Sequence, residues 1–89
     1  GNLNGCNNLG AAYLQGRGVQ KDEARGLALL NKACDNGNMG GCSNLGVAHA
    51  MGLGVARNLP RATELFRRAC SAGEKPACDA LAQLQNAQP

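Results

Sequence analysis

The chain has 89 residues with one Tyr, one Phe and no Trp, which excludes a core built on large aromatic side chains. Its net charge is +3, from nine basic and six acidic residues, and the absence of a dense basic run argues against a nucleic-acid partner. No segment approaches the ~18 apolar residues of a membrane span, so we expect no membrane insertion. The sequence contains no signal peptide, and we expect any export signal upstream of Gly1.

The dominant feature of the sequence is a repeat of 36 residues. The cysteines indicate it first, because two sets recur at intervals of 36: Cys6, Cys42 and Cys78, and then Cys34 and Cys70. Aligning the first 36 residues with the next 36 gives 15 identities. The sequence therefore predicts two full repeats and a C-terminal half repeat that caps them, at residues 1–36, 37–72 and 73–89.

Each repeat contains two segments with helical periodicity, which we name helix A and helix B. Helix A is predicted at residues 3–15, 39–51 and 75–87, and helix B at residues 22–36 and 58–72. Glycines end helix A at Gly16 and Gly52, and N-capping side chains precede helix B at Asp22 and Asn58. The sequence thus predicts an all-α fold, an α/α repeat solenoid of antiparallel helix pairs with five helices and one concave face.

The repeat carries a recognisable motif. It reads Cys6-x-x-Leu9-Gly10-x-x-Tyr13-x-x-Gly16-x-Gly18-Val19-x-x-Asp22, followed by Ala33-Cys34. This pattern resembles the Sel-one-like repeat family, relatives of the tetratricopeptide repeats, and its cysteine spacing resembles the Helicobacter cysteine-rich proteins. The tyrosine position departs from the pattern at His49 and Gln85. The resemblance implies a bacterial adaptor or scaffold, and the cysteine-rich branch implies a secreted or periplasmic location.

The cysteines flank the turns between helix B and the next helix A, as the pairs Cys34–Cys42 and Cys70–Cys78. The helical phases direct both members of a pair into one seam, where they can meet the ~5.5–6 Å Cα separation of a disulfide. Cys6 stays unpaired, and we expect its natural partner upstream of Gly1. The alternative is a cytoplasmic adaptor with five reduced thiols. Without a Cys-x-x-Cys and with one histidine, the sequence predicts no metal and no cofactor.

A β-lactam-binding or β-lactam-hydrolysing enzyme is an alternative that the resemblance raises, since such activities are described for some cysteine-rich relatives. A serine β-lactamase needs Ser-x-x-Lys, but Gly46 stands three residues after Ser43, and Glu74 three residues after Ser71. His49 is interpreted as a half-buried residue on the packed face. We therefore predict that the chain is not an enzyme and has no catalytic residues.

Polar side chains of helix A are the candidate peptide-binding residues. Asn8 and Asn44 share one repeat position, and an amide can donate to and accept from a peptide backbone. Gln15 and Ser43 complete the candidate set. The basic residues of helix B are interpreted as its solvated outer face: Arg25, Lys32, Arg61, Arg67 and Arg68. We expect a protein or peptide partner on the concave helix A face.

Two alternatives to peptide binding stay open at this level. One is a purely structural spacer within a longer solenoid. The other is dimerisation through the exposed N-terminal helix or through Cys6, because that helix lacks an upstream neighbour. The polar ending at residues 84–89 is compatible with a natural C-terminus.

Overall fold

A computed structural model of the protein describes the backbone of residues 3–87 and the side chains of residues 5–86. It contains five helices of 13 residues each: α1 (Leu3–Gln15), α2 (Glu23–Asp35), α3 (Met39–Met51), α4 (Leu59–Ser71) and α5 (Lys75–Ala87). Strands are absent from residues 3–87. The predicted all-α solenoid of five helices is confirmed. The helix A bounds agree at every residue, and each helix B is one residue shorter at both ends.

Capping side chains explain where the helices begin. Asp22 and Asn58 have extended backbones, and their side chains accept hydrogen bonds from the backbone N–H groups of Arg25 and Arg61 at 3.1 and 3.0 Å. Asn38 does the same before α3, accepting from the N–H of Gly41 at 2.8 Å. Each such cap contributes about 1 kcal/mol. The caps at Asp22 and Asn58 were predicted, whereas the cap at Asn38 was not.

Glycine explains where α3 ends. Gly52 has φ 72 and ψ 43, and its N–H bonds to the carbonyl oxygen of Ala48. Residues with a side chain rarely adopt this left-handed backbone, which glycine adopts without steric cost. Gly16 has φ 70 at the equivalent point after α1. The predicted glycine stops of helix A are therefore confirmed.

The core lies between the helix A layer and the helix B layer. Helix α3 packs against both α2 and α4, while α1 packs on α2 and α5 packs on α4. The largest fully buried side chains are Phe66, Leu30, Leu45, Leu65, Cys34 and Cys42. The molecule measures 37 × 24 × 18 Å. Among the described residues, every helix is too short or too polar to cross a membrane.

The two repeats achieve close helix packing with different residues. In the first repeat, a Cβ on Gly26 would lie 2.7 Å from the carbonyl oxygen of Gly10 and 3.0 Å from Cγ of Leu14. In the second repeat the position of Gly26 is held by Ala62, and the position of Leu14 by Ala50. The first repeat thus has the pair Gly26 and Leu14 where the second has the pair Ala62 and Ala50. The two repeats therefore differ in the surface that the A helix presents at this position.

Candidate interaction surface

Two cysteine pairs join helix B to the next helix A. Cys34 and Cys42 have Cα atoms 4.6 Å apart, and Cys70 and Cys78 have Cα atoms 4.7 Å apart, with the sulfur atoms of each pair at disulfide distance. Cys34 and Cys42 are fully buried, whereas Cys70 and Cys78 are partly exposed. Cys6 is free and partly buried. The pairs at disulfide distance are the ones the spacing predicted, and each closes a short loop beside a helix seam.

Asn44 contacts another asparagine on the neighbouring helix. Its Nδ2 donates to Oδ1 of Asn7 at 2.6 Å, which links α3 directly to α1. Gly40 makes space for this contact, because a Cβ there would lie 2.8 Å from Nδ2 of Asn7. Asn8, the repeat equivalent of Asn44, is exposed. The two candidate asparagines therefore have different surroundings, and part of the Asn44 amide is already engaged.

Ser43 and Gln15 also differ in accessibility. Ser43 is buried, with only 8% of its surface exposed. Its side chain is not accessible to a partner in this structure, so the expectation that it contacts one needs correction. Gln15 is exposed at the last position of α1. Of the four candidate residues, Asn8, Gln15 and part of Asn44 are available.

An apolar groove between α3 and α5 was missed by the sequence reasoning. Phe66 of α4 borders it together with side chains of the two A helices, namely Val47, Ala50, Met51, Ala80, Gln83 and Leu84. Its volume is about 170 Å³, and Met51 is 67% exposed. We call this feature the α3–α5 groove. The signal in the sequence was the replacement of Gln15 by Met51 and of Asn44 by Ala80 at equivalent repeat positions.

The end of the molecule where A helices stop and B helices begin carries the excess positive charge. We define this A–B edge as residues 16–25 and 52–61. It contains five basic residues and two acidic ones: Arg17, Lys21, Arg25, Arg57 and Arg61, and Asp22 and Glu23. The rest of the chain has four of each sign, so the whole net charge of +3 lies at this edge.

Tyr13 contacts a basic residue in the first-repeat part of the A–B edge. Arg25 donates from Nη1 to the Tyr13 hydroxyl at 3.3 Å, and its guanidinium lies 5.5 Å from the centre of the tyrosine ring. The hydrogen bond to Tyr13 is the main cause that raises the pKa of Arg25. A cleft of about 520 Å³ lies beside this pair, lined also by Val19, Gln20, Lys21 and Asp22. Arg25 and the other four basic helix B residues are exposed, as interpreted from the sequence.

His49 replaces this tyrosine in the second repeat. It is partly buried, and its Nδ1 has no hydrogen-bond partner among the described residues. Burial is the main cause that lowers the pKa of His49, and the charge of Arg61 lowers it further. Because both effects disfavour the charged imidazolium, the side chain acts as a neutral packing residue near neutral pH, as expected from its position.

The fold and the paired cysteines together define a class of protein, the helical repeat solenoids. The Sel1 repeat family model matches residues 3–38 and again residues 41–74. The chain therefore belongs to the Sel1 repeat family, which confirms the resemblance seen in its motif. Sel1 repeat proteins generally mediate protein–protein interactions and are typically non-enzymatic scaffolds.

Two solved structures are similar to the chain. A Sel1 repeat protein from Oxalobacter formigenes matches with a TM-score of 0.86 and 26% identity, over 93% of this chain and 34% of that one. Cysteine-rich protein B from Helicobacter pylori matches with a TM-score of 0.78 and 37% identity, over 89% of this chain and 59% of that one. The chain thus spans about a third and about three fifths of these relatives. Comparison with curated proteins gave no match.

Proposed function

We propose that this chain is a protein–protein interaction module of an exported bacterial repeat protein, and that its helix A side binds an extended peptide or partner segment. We define the helix A face by its accessible side chains: Asn8, Gln15, Asn44, Met51 and Gln83. The observation that carries the proposal is that the A helices present exposed amides, at Asn8 and Gln15 of α1, and an open apolar groove between α3 and α5. Amides can bond a peptide backbone, while a groove can hold a side chain.

The disulfide-distance pairs support both the binding role and the export. A disulfide between each helix B and the following helix A fixes the positions of the two helices before a partner binds. This constraint lowers the conformational entropy lost on binding. Disulfides persist in oxidising compartments such as the periplasm, and the similarity to a Helicobacter pylori cysteine-rich protein points the same way. These two observations favour a periplasmic or secreted module over a cytoplasmic adaptor with reduced thiols.

The direct test is selection from a displayed library of random peptides on the oxidised 89-residue chain, followed by titration of the enriched peptides. We expect Asn8→Ala and Gln15→Ala each to weaken binding by about three- to tenfold, as for the loss of one exposed hydrogen bond. Asn31→Ala is the matched control, because Asn31 is an exposed asparagine of α2 bonded only to the carbonyl oxygen of Leu27 at 3.1 Å.

Failure to enrich any peptide on the folded chain would contradict the proposal and favour a structural spacer. Equal weakening by the Asn8 and Asn31 substitutions would show that peptides bind outside the helix A face. Turnover of a chromogenic β-lactam by the purified chain would revive the enzymatic alternative.

A further inference from the structure

The groove exists because the second junction between A helices is less closely packed than the first. α1 packs directly against α3 and is tied to it by the bond between Asn7 and Asn44. At the equivalent positions between α3 and α5 stand Ser43 and Ala80, which cannot form such a bond. Direct packing between α3 and α5 is correspondingly slight. The same repeat therefore produces a closed junction first and an open one second.

The residues that border the groove are mostly apolar, whereas the first junction has the Asn7–Asn44 pair and the side chain of Leu14 at the equivalent positions. Position 14 of the first repeat is a buried leucine, whereas position 50 of the second is an alanine that borders the groove. The groove volume of about 170 Å³ equals about five or six water molecules, or one aliphatic side chain. Its apolar border and exposed Met51 favour such a side chain over water.

Arg57 lies close in space to the residue that follows Met51 at the border of the groove. Met51 is followed by Gly52, and a Cβ on Gly52 would lie 3.7 Å from Cβ of Arg57. In the second repeat the A–B edge carries Arg57 and Arg61 with no acidic residue between positions 52 and 61. Arg61 has an exposed contact with Glu64 at 3.3 Å, whereas Arg57 makes no ion pair within residues 5–86. A partner that extends from the groove past Met51 meets an excess of positive charge at Arg57 and Arg61, which Glu64 and Glu23, beside Gly54, offset in part.

We propose that the partner segment is acidic and inserts one aliphatic side chain into the α3–α5 groove, with its carboxylates facing Arg57 and Arg61. This inference rests on the proposed function and specifies the chemistry of the partner. The apolar anchor supplies affinity by removing groove surface from water. The carboxylates supply orientation and selectivity, and their contribution decreases with salt because the arginines are exposed.

One double variant closes the groove with residues that the chain already uses. Ala50→Leu with Ala62→Gly introduces the pair Leu14 and Gly26 of the first repeat, here beside Phe66 where the first repeat has Leu30. Met51→Gln is a second variant for the case in which the double variant does not fold, since Met51 is mostly exposed and Gln15 is its equivalent. Either variant should weaken an aliphatic-anchored peptide about tenfold.

A second pair of variants separates the A–B edge from general electrostatics. Arg57→Gln with Arg61→Gln should weaken acidic peptides about three- to tenfold at low salt and less at high salt. Arg67→Gln with Arg68→Gln removes the same two charges from exposed positions near the end of α4, outside the edge. We expect this control to leave the affinity within about twofold of the unmodified chain.

The experiment is the library selection repeated on the unmodified chain and on these variants. The inference is supported if the enriched peptides contain both acidic and aliphatic residues. The preference for acidic residues should then be lost in the variant without Arg57 and Arg61, and the preference for aliphatic residues in the closed-groove variant. Enriched peptides without an acidic preference, or with one that the edge variant leaves intact, would overturn it while the proposed function stands. Dimerisation of the unmodified chain that the closed-groove variant abolishes, measured by analytical ultracentrifugation, would assign the groove to self-association and overturn it as well.

Discussion

The first and second junctions between A helices share a scaffold and differ in their surfaces. Both are anchored by a cysteine pair at disulfide distance, by a capped helix B and by a glycine of helix A that contacts helix B, at Gly10 and Gly46. The first junction is closed by the Asn7–Asn44 bond. The second is open above Phe66. The residues that define the fold thus recur, while those that define the surface vary.

A few positions account for this difference. Phe66 replaces Leu30 beneath the A helices, and a Cβ on Gly46 would lie 2.9 Å from its ring. Ala62 on the same helix and Ala50 on α3 stand where the first repeat has Gly26 and Leu14. The comparison teaches that a solenoid can acquire a binding surface at one junction without changing its backbone pattern.

Removal of the disulfides should have the largest effect on the free energy of unfolding. We expect Cys34→Ala with Cys42→Ala to lower the free energy of unfolding by about 2–3 kcal/mol through lost loop constraint, and further through the cavities left at two fully buried side chains. Cys70→Ala with Cys78→Ala should cost less, because those side chains are partly exposed. Urea unfolding followed by circular dichroism without reductant measures both. An equal loss in the two variants would contradict the ranking.

Gly26→Ala should rank second. Its new Cβ would lie 2.7 Å from the backbone oxygen of Gly10, which cannot move without separating α1 from α2, so we expect a loss of about 1–3 kcal/mol. Ala62→Gly, the reverse change in the second repeat, should cost only about 1 kcal/mol through helix propensity and lost contact. The same unfolding experiment compares them. A neutral Gly26→Ala would mean that the first junction is looser than described.

The hydrogen bond between Asn7 and Asn44 should contribute less to the free energy of unfolding than the disulfides or the close packing at Gly26. Asn44→Ala removes a hydrogen bond at 2.6 Å and leaves the Asn7 carbonyl without that donor, so we expect a loss of about 1 kcal/mol. Asn8→Ala, at the equivalent exposed position of the first repeat, is the control and should stay within about 0.5 kcal/mol of the original. Equal losses would show that the closed first junction does not depend on this bond.

The smallest expected effect is the pH dependence of stability that His49 contributes. Burial and Arg61 lower the pKa of His49 in the folded protein below the ordinary value of 6.5, so the unfolded chain binds its proton first as pH falls. Stability is therefore full above pH 6.5 and decreases as pH falls from 6.5 through the folded pKa. His49→Tyr, which restores the residue of the first repeat, should remove this part of the pH dependence. Thermal melts at several pH values test it, and an unchanged slope in the variant would contradict the assignment.

The sequence predicted the fold almost completely because the repeat reports each element twice. Helix periodicity, the glycine stops and the caps at Asp22 and Asn58 all depend on local chemistry that is visible in the chain. The surface was harder to predict. The burial of Ser43 and the contact between Asn7 and Asn44 depend on how neighbouring helices lie against each other, which spacing does not determine. The groove depends on slight packing between α3 and α5, and its sequence signal, Met51 for Gln15 and Ala80 for Asn44, is understood only once the helices are placed.

The proposed function depends on two disulfides, Cys34–Cys42 and Cys70–Cys78, which form in an oxidising compartment. The most direct measurement is the intact mass of the chain after thiol alkylation without reduction, followed by peptide mapping. With five cysteines, the account predicts one alkylated thiol, at Cys6, and linked peptides containing Cys34 with Cys42 and Cys70 with Cys78. Five alkylated thiols in material prepared under oxidising conditions would contradict the account and favour a cytoplasmic adaptor.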